Sequence, residues 1–231
     1  MKTTFPRRTF IAAVALVAAC FAFAAGAQPA RKPATAASAG AAAVATPSTQ
    51  RAVLVMGDSL SASYGLTAAQ GWVSLTAQKI AKEKPGWRVV NASISGETTA
   101  GGAARIAAEL KRHKPAVVVI ELGANDGLRG LPLAQTRANL TKMIVAAKAA
   151  NAKVLLIGMR LPPNYGPDYT LGFERTFREL SQQHKTAFLP FLLEPVAMDD
   201  RAFQADRLHP TAAAQPKLRD HVWPALAPLL K

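Results

Sequence analysis

Two short stretches, far apart in the chain, hold the groups that acyl transfer needs. Val53-Leu54-Val55-Met56-Gly57-Asp58-Ser59-Leu60 is an apolar run that stops at Gly-Asp-Ser. Asp206-Arg207-Leu208-His209-Pro210 supplies an acid and an imidazole close in sequence, followed by a proline that interrupts regular structure. Together they offer a hydroxyl nucleophile, a base to take its proton and a carboxylate to orient that base. Each element also has a plainer explanation. A serine after a strand commonly caps a helix or closes a turn, and an Asp-x-x-His pair can be structural or bind a metal. The base is reached by elimination. Of four histidines, His113 stands in a basic helix end, His184 beside Gln182 and Gln183, and His221 among charged residues, so all three are expected at the surface. Only His209 has an acid spaced to meet its ring. No further cluster of histidines and carboxylates supports a metal site.

Two other stretches could stabilise an oxyanion. Asn91-Ala92-Ser93-Ile94-Ser95-Gly96 ends in a glycine whose amide can face a ligand, and Glu121-Leu122-Gly123-Ala124-Asn125-Asp126-Gly127 carries a side-chain amide. Alone, these read as a glycine turn and an Asn-Asp-Gly turn. With the Ser59 amide, they would provide three donors to one developing charge.

These groups need a scaffold that brings distant loops together. Strand-length apolar runs recur at Ala52–Met56, Trp87–Asn91, Ala116–Glu121, Val154–Met159 and Ala187–Phe191. They are apolar throughout, as strands buried on both faces should be. Helical periodicity fills the intervals, over Gly71–Glu83, Gly101–His113, Leu133–Ala150 and Tyr169–His184, and then over Thr211–Leu230 with breaks expected at Pro216 and Pro224. The alternation predicts a parallel sheet covered on both sides. Right-handed crossovers would then gather Ser59, Gly96, Asn125 and the Leu161–Tyr165 loop at one edge of the sheet, within reach of His209.

The first fifty residues follow a different pattern. Lys2, Arg7 and Arg8 precede an apolar run from Phe10 to Ala25, and Ala25-Gly26-Ala27 offers a cleavage site. This order predicts an export signal over residues 1–27 and a periplasmic or secreted protein. Arg7-Arg8 weakly resembles a twin-arginine signal. Val17-Ala18-Ala19-Cys20 fits a lipobox, so the alternative is a lipoprotein anchored through Cys20, the sole cysteine. Residues 28–50, rich in Ala, Pro, Ser and Thr, predict a disordered linker, leaving 51–231 as one domain. The formal charge is +14. The basic residues are spread out without interleaved aromatics, which argues against nucleic acid and for attraction to anionic surfaces or substrates.

As an ordered set, these motifs resemble those of the SGNH, or GDSL, hydrolase superfamily, and within it the bacterial periplasmic thioesterase I, lysophospholipase L1 and arylesterase group. The matching stretches are Gly57-Asp58-Ser59-Leu60-Ser61, Asn91 to Gly96, Glu121 to Gly130, Arg160 to Gly166 and Asp206 to Pro210. The resemblance implies a flavodoxin-like three-layer α/β/α sandwich with a five-stranded parallel sheet. It implies a Ser59-His209-Asp206 triad, an oxyanion hole of Ser59, Gly96 and Asn125, and no cofactor. Leu161, Pro162 and Tyr165 are expected to border the acyl site. The expected substrate is a small acyl ester or lipid, handled by a monomer, with peripheral or lipid-anchored membrane contact. Two rivals are a carbohydrate O-deacetylase on the same fold and a non-catalytic nucleotide or flavin binder. The absence of a glycine-rich phosphate loop after the first strand argues against the binder.

Overall fold

The structure, a computed structural model, describes residues 50–231. The export signal, the Cys20 lipobox and all of the linker except Gln50 lie outside the described residues. Five strands form one wholly parallel sheet: β1 (Arg51–Gly57), β2 (Trp87–Asn91), β3 (Val117–Glu121), β4 (Lys153–Ile157) and β5 (Ala187–Leu189), in the order β2-β1-β3-β4-β5. Val117 to Ile120 in β3 and Val53 to Met56 in β1 are buried. Their unbroken apolar character is therefore required by helices on both faces.

The helices are α1 (Trp72–Glu83), α2 (Thr99–His113), α3 (Ala124–Leu128), α4 (Leu133–Ala149), α5 (Pro167–His184) and α6 (Gln215–Leu226). Helices α1 and α6 pack together on one face, while α2, α4 and α5 form a contiguous layer on the other. The chain steps from β1 to β2 in one direction and from β2 through β5 in the other. The reversal falls between β1 and β3, whose carboxyl ends open the crevice where doubly wound sheets bind ligands. Among the described residues, no helix is long and apolar enough to cross a membrane.

Several boundaries differ from expectation. β5 stops at Leu189 because Pro190 cannot donate to the ladder. Asn125-Asp126-Gly127, expected as a turn, lies within the short helix α3. The last helix is not broken where expected: α6 runs on through Pro216, in its first turn, and Pro224, inside it, and single-turn 3₁₀ segments flank it on either side. The three other histidines are half-buried rather than exposed, and His221 Nε2 lies 2.9 Å from the Phe191 carbonyl.

Candidate active site

β1 delivers Ser59 to the crevice through a tight loop in which the Ala62 amide donates to the Asp58 carbonyl and the Tyr64 amide to the Ser59 carbonyl. Gly57 permits the turn by having no side chain. A Cβ there would sit 2.6 Å from Ser61 Cβ and 2.9 Å from Glu121 Oε2. Ser61 Oγ fills that space and donates to Glu121 Oε2 at 2.6 Å, joining the Ser59 loop to the end of β3.

His209 reaches the same place from the other end of the domain. Asp206 Oδ1 accepts the amides of Leu208 and His209 at 2.9 and 3.0 Å, closing a small turn around Arg207, whose φ of 56° is left-handed. Because Oδ1 is occupied by the turn, Oδ2 faces the ring and lies 2.7 Å from His209 Nδ1. Nε2 then lies 2.8 Å from Ser59 Oγ. The three side chains form one hydrogen-bonded line across 150 residues of sequence. Gln204 secures the approach. Its backbone amide donates to the His209 carbonyl, and its side chain donates to the Tyr64 carbonyl, so the histidine loop is tied to the serine loop. The Tyr64 ring lies 4.4 Å from the His209 ring, centroid to centroid.

Gly96 and Asn125 meet at this crevice. Gly96 has a φ of +78°, a Cβ there would meet nothing within 4 Å, and the residue lines the cleft. Neither the Ser59 nor the Gly96 amide donates to another group of the described residues. Asn125 Nδ2 donates to Asp58 Oδ2 at 3.2 Å and to the Glu97 carbonyl at 3.0 Å. Its neighbour Asp126 accepts the amide and hydroxyl of Thr99, fixing α3 against the start of α2.

The carboxyls around the site titrate very differently. The His209 and Leu208 amides, followed by the His209 side chain, hold Asp206 down at about 2, so it is ionised across any working pH. Asp58 is fully buried, and desolvation pushes it up to about 6 despite the opposing Leu60 amide, His209 and Asn125. Burial, together with the Asp58 charge, drives Glu121 well above the usual carboxyl range. For Asp58, the folded value exceeds the unfolded one. Its stabilising contribution is therefore complete below pH 3.8 and lost as pH rises through about 6. Measured by urea unfolding, the stability of the wild type relative to Asp58→Ala is expected to fall by roughly 3 kcal/mol across that window. A difference that does not vary with pH would contradict a buried Asp58 that ionises there.

A cleft of about 750 Å³ opens over Ser59 and His209. Leu128, Met159, Leu161 and Pro162 line it, as do Tyr64, Phe203, Leu208 and Met198. Leu161 leans on Gly127, where a Cβ would come within 2.6 Å of its Cδ2. Tyr165, expected at the border, does not line the cleft; its hydroxyl donates to the Leu128 carbonyl at 3.0 Å, so it braces α3 instead. Sequence reasoning missed Tyr64, Gln204 and the Ser61–Glu121 bond. The one available signal was Glu121 itself, an ionisable residue closing a strand that is otherwise wholly apolar.

Residues 55–215 match the model of the GDSL-like lipase/acylhydrolase family. The chain belongs to that family. It is accordingly an ester hydrolase by class, and its sheet order and helix layers are those of the SGNH hydrolase fold. It is 54% identical over 178 residues to the esterase TesA of Pseudomonas aeruginosa, covering 77% of this chain and 89% of that protein. It is 42% identical over 178 residues to thioesterase 1/protease 1/lysophospholipase L1 of Escherichia coli K12, covering 77% and 84%. Among solved structures, the psychrotrophic esterase EstA of a Pseudoalteromonas species, inhibited by monoethylphosphonate, superposes with a TM-score of 0.75 at 40% identity, covering 78% of this chain and 99% of that one.

Proposed function

We propose that this hydrolase cleaves acyl esters and thioesters of apolar acids through a covalent acyl-enzyme formed on Ser59. The observation that carries this reading is the line from Ser59 Oγ through His209 to Asp206, with links of 2.8 and 2.7 Å, at the base of an apolar cleft. His209 Nε2 takes the Ser59 proton as Oγ attacks the carbonyl carbon. The developing oxyanion is met by the Ser59 and Gly96 amides and by Asn125. The protonated His209 then donates to the leaving alcohol or thiol, and water removes the acyl group by the same steps in reverse order. Asp206 holds the ring in the tautomer with Nδ1–H and offsets its transient charge. Asp206, held at about 2, stays ionised throughout the cycle.

The apolar lining and the names of the relatives favour arylesters, lysophospholipids and acyl thioesters over acetylated sugars. The basic start, the apolar run to Ala25 and the small residues after it support export to the periplasm. Labelling with a fluorophosphonate, with the adduct mapped by mass spectrometry to Ser59, tests the nucleophile. A p-nitrophenyl ester series from acetyl to palmitoyl tests the acyl site. Labelling at another residue would overturn the assignment.

Leu161 supplies part of the apolar wall, so Leu161→Ala is expected to lower kcat/KM for decanoyl esters relative to acetyl esters by about 1–3 kcal/mol of transition-state binding. Equal losses on both esters would show that this wall does not read chain length.

A further inference from the structure

Gly96 sits at the tip of a loop, and a loop tip with little packing does not hold an amide still by itself. Ile94, Ser95 and Gly96 are all exposed. The loop is held instead at its two ends. On the β2 side, the Ile94 amide donates to the Gly57 carbonyl at 3.0 Å. On the α2 side, the Glu97 amide donates to the Ile94 carbonyl at 3.1 Å, which closes a turn with Gly96 at its left-handed corner. Arg129 Nη2 adds a bond to the Gly96 carbonyl at 3.1 Å, but from an exposed residue.

Glu97 is the firmer anchor. Arg105 Nε donates to its Oε1 at 2.7 Å and Arg105 Nη2 to its Oε2 at 2.5 Å, a two-bond fork. The two side chains are 7% and 18% exposed, the least of any ion pair among the described residues. A solvated pair is loose and contributes little, whereas a shielded guanidinium–carboxylate fork admits one geometry. The first turn of α2 leaves room for it. A Cβ on Gly101 would come within 3.0 Å of Glu97 Cγ and Oε1, which accounts for a glycine where alanine is the better helix former. The main chain of Glu97 also meets both mobile parts of the oxyanion site. Its nitrogen is joined to Gly96, and its carbonyl accepts Asn125 Nδ2 at 3.0 Å. A shift of Glu97 would therefore move the Gly96 amide and the Asn125 carboxamide together.

We propose that Glu97, clamped by Arg105, is the positioning residue of the oxyanion hole and sets the direction of the Gly96 amide and the Asn125 carboxamide at once. It touches no reacting atom. A role of this kind presupposes the acyl-enzyme reading, since that reading supplies the oxyanion. Donors stabilise a developing charge only when they are aimed in advance, and a displacement of about 1 Å costs roughly 10²-fold in rate even when it starts away from the chemistry. Both donors serve the transition state rather than the bound ester, so the loss belongs in kcat and not in KM.

The test is steady-state kinetics of the full chain on p-nitrophenyl butyrate, with folding followed by thermal melting. Glu97→Gln keeps the shape of the side chain but turns an NH₂ group against one arm of the Arg105 fork. Arg105 retains Glu109, 3.4 Å away, so its charge is not stranded. The expected result is a kcat lowered by roughly 10²-fold with KM within about twofold of the parent. Glu97→Asp still offers the fork a carboxylate and should recover most of that loss. Added to Asn125→Ala, Glu97→Gln should cost less than it does alone, because part of its effect runs through an amide that is already gone. Should Glu97→Gln fail to fold, Arg105→Lys keeps the cation, loses the fork and must show the same fall in kcat. Three results would overturn the proposal: a folded variant whose kcat stays within about threefold of the parent, a rise in KM in place of the loss in kcat, or losses from Glu97→Gln and Asn125→Ala that multiply in full, as two unrelated structural defects would. Ser59→Ala, assayed in the same series, separates the two readings. If it remains active, the nucleophile assignment fails and this role fails with it. If it is inactive while Glu97→Gln turns over normally, only the positioning role fails.

Discussion

Ser59→Ala is expected to lower kcat on any ester by roughly 10⁴–10⁶ while leaving the melting temperature within a degree or two of the parent. The loss is large because the hydroxyl forms the covalent bond. Without it, His209 has no nucleophile within 2.8 Å, and the cleft can only bind substrate. The small stability cost follows from position: Ser59 is only half-buried, and the loop around it is held by Asp58, Ser61 and the backbone rather than by its own oxygen. His209→Ala should be nearly as damaging, and the double variant should be little worse than either single change. Groups that act as one unit lose their effect together. Active-site titration with a fluorophosphonate before each assay separates true residual activity from contamination. Activity within tenfold of the parent would mean that another residue carries the chemistry.

The legible parts of the chain are those whose physics is local. Val117 to Ile120 reads as a buried strand because every side chain is apolar and the run is too short for a helix. The Asp206–His209 pair is visible because one turn brings Nδ1 to the carboxylate, and that turn is built from adjacent residues. Helix α3 was not legible, since Asn-Asp-Gly has turn composition. Its helical form is secured from outside by the bonds of Asp126 to Thr99, 27 residues earlier in sequence. Gln204 and Tyr64 are 140 residues apart and carry no motif, yet their bond sets where His209 stands. Pro162 and Pro163 mark a stiff loop correctly, but which of its side chains faces the cleft depends on packing against Gly127 and Leu128. That packing is why Leu161 lines the cleft and Tyr165 does not.

The second large effect is expected at Asn125, where the resting geometry adds a condition that composition alone could not reveal. Both hydrogens of Nδ2 are engaged, one with Asp58 Oδ2 at 3.2 Å and one with the Glu97 carbonyl at 3.0 Å. An oxyanion must therefore compete with the Asp58 carboxylate for a donor. It can do so only once negative charge has developed on the substrate oxygen, because a neutral carbonyl is the weaker acceptor. A bond of that kind stabilises the transition state and not the bound ester. Asn125→Ala should accordingly lower kcat by about 10²–10³ with KM little changed, and it should slow fluorophosphonate labelling of Ser59 in parallel. Asn125→Asp should be at least as harmful, since it offers no donor and sets a second carboxylate beside the buried Asp58. If Asn125 instead only shapes the end of β3, its truncation would lower the melting temperature and leave kcat near normal in the folded fraction. The oxyanion would then be held by the Ser59 and Gly96 amides alone.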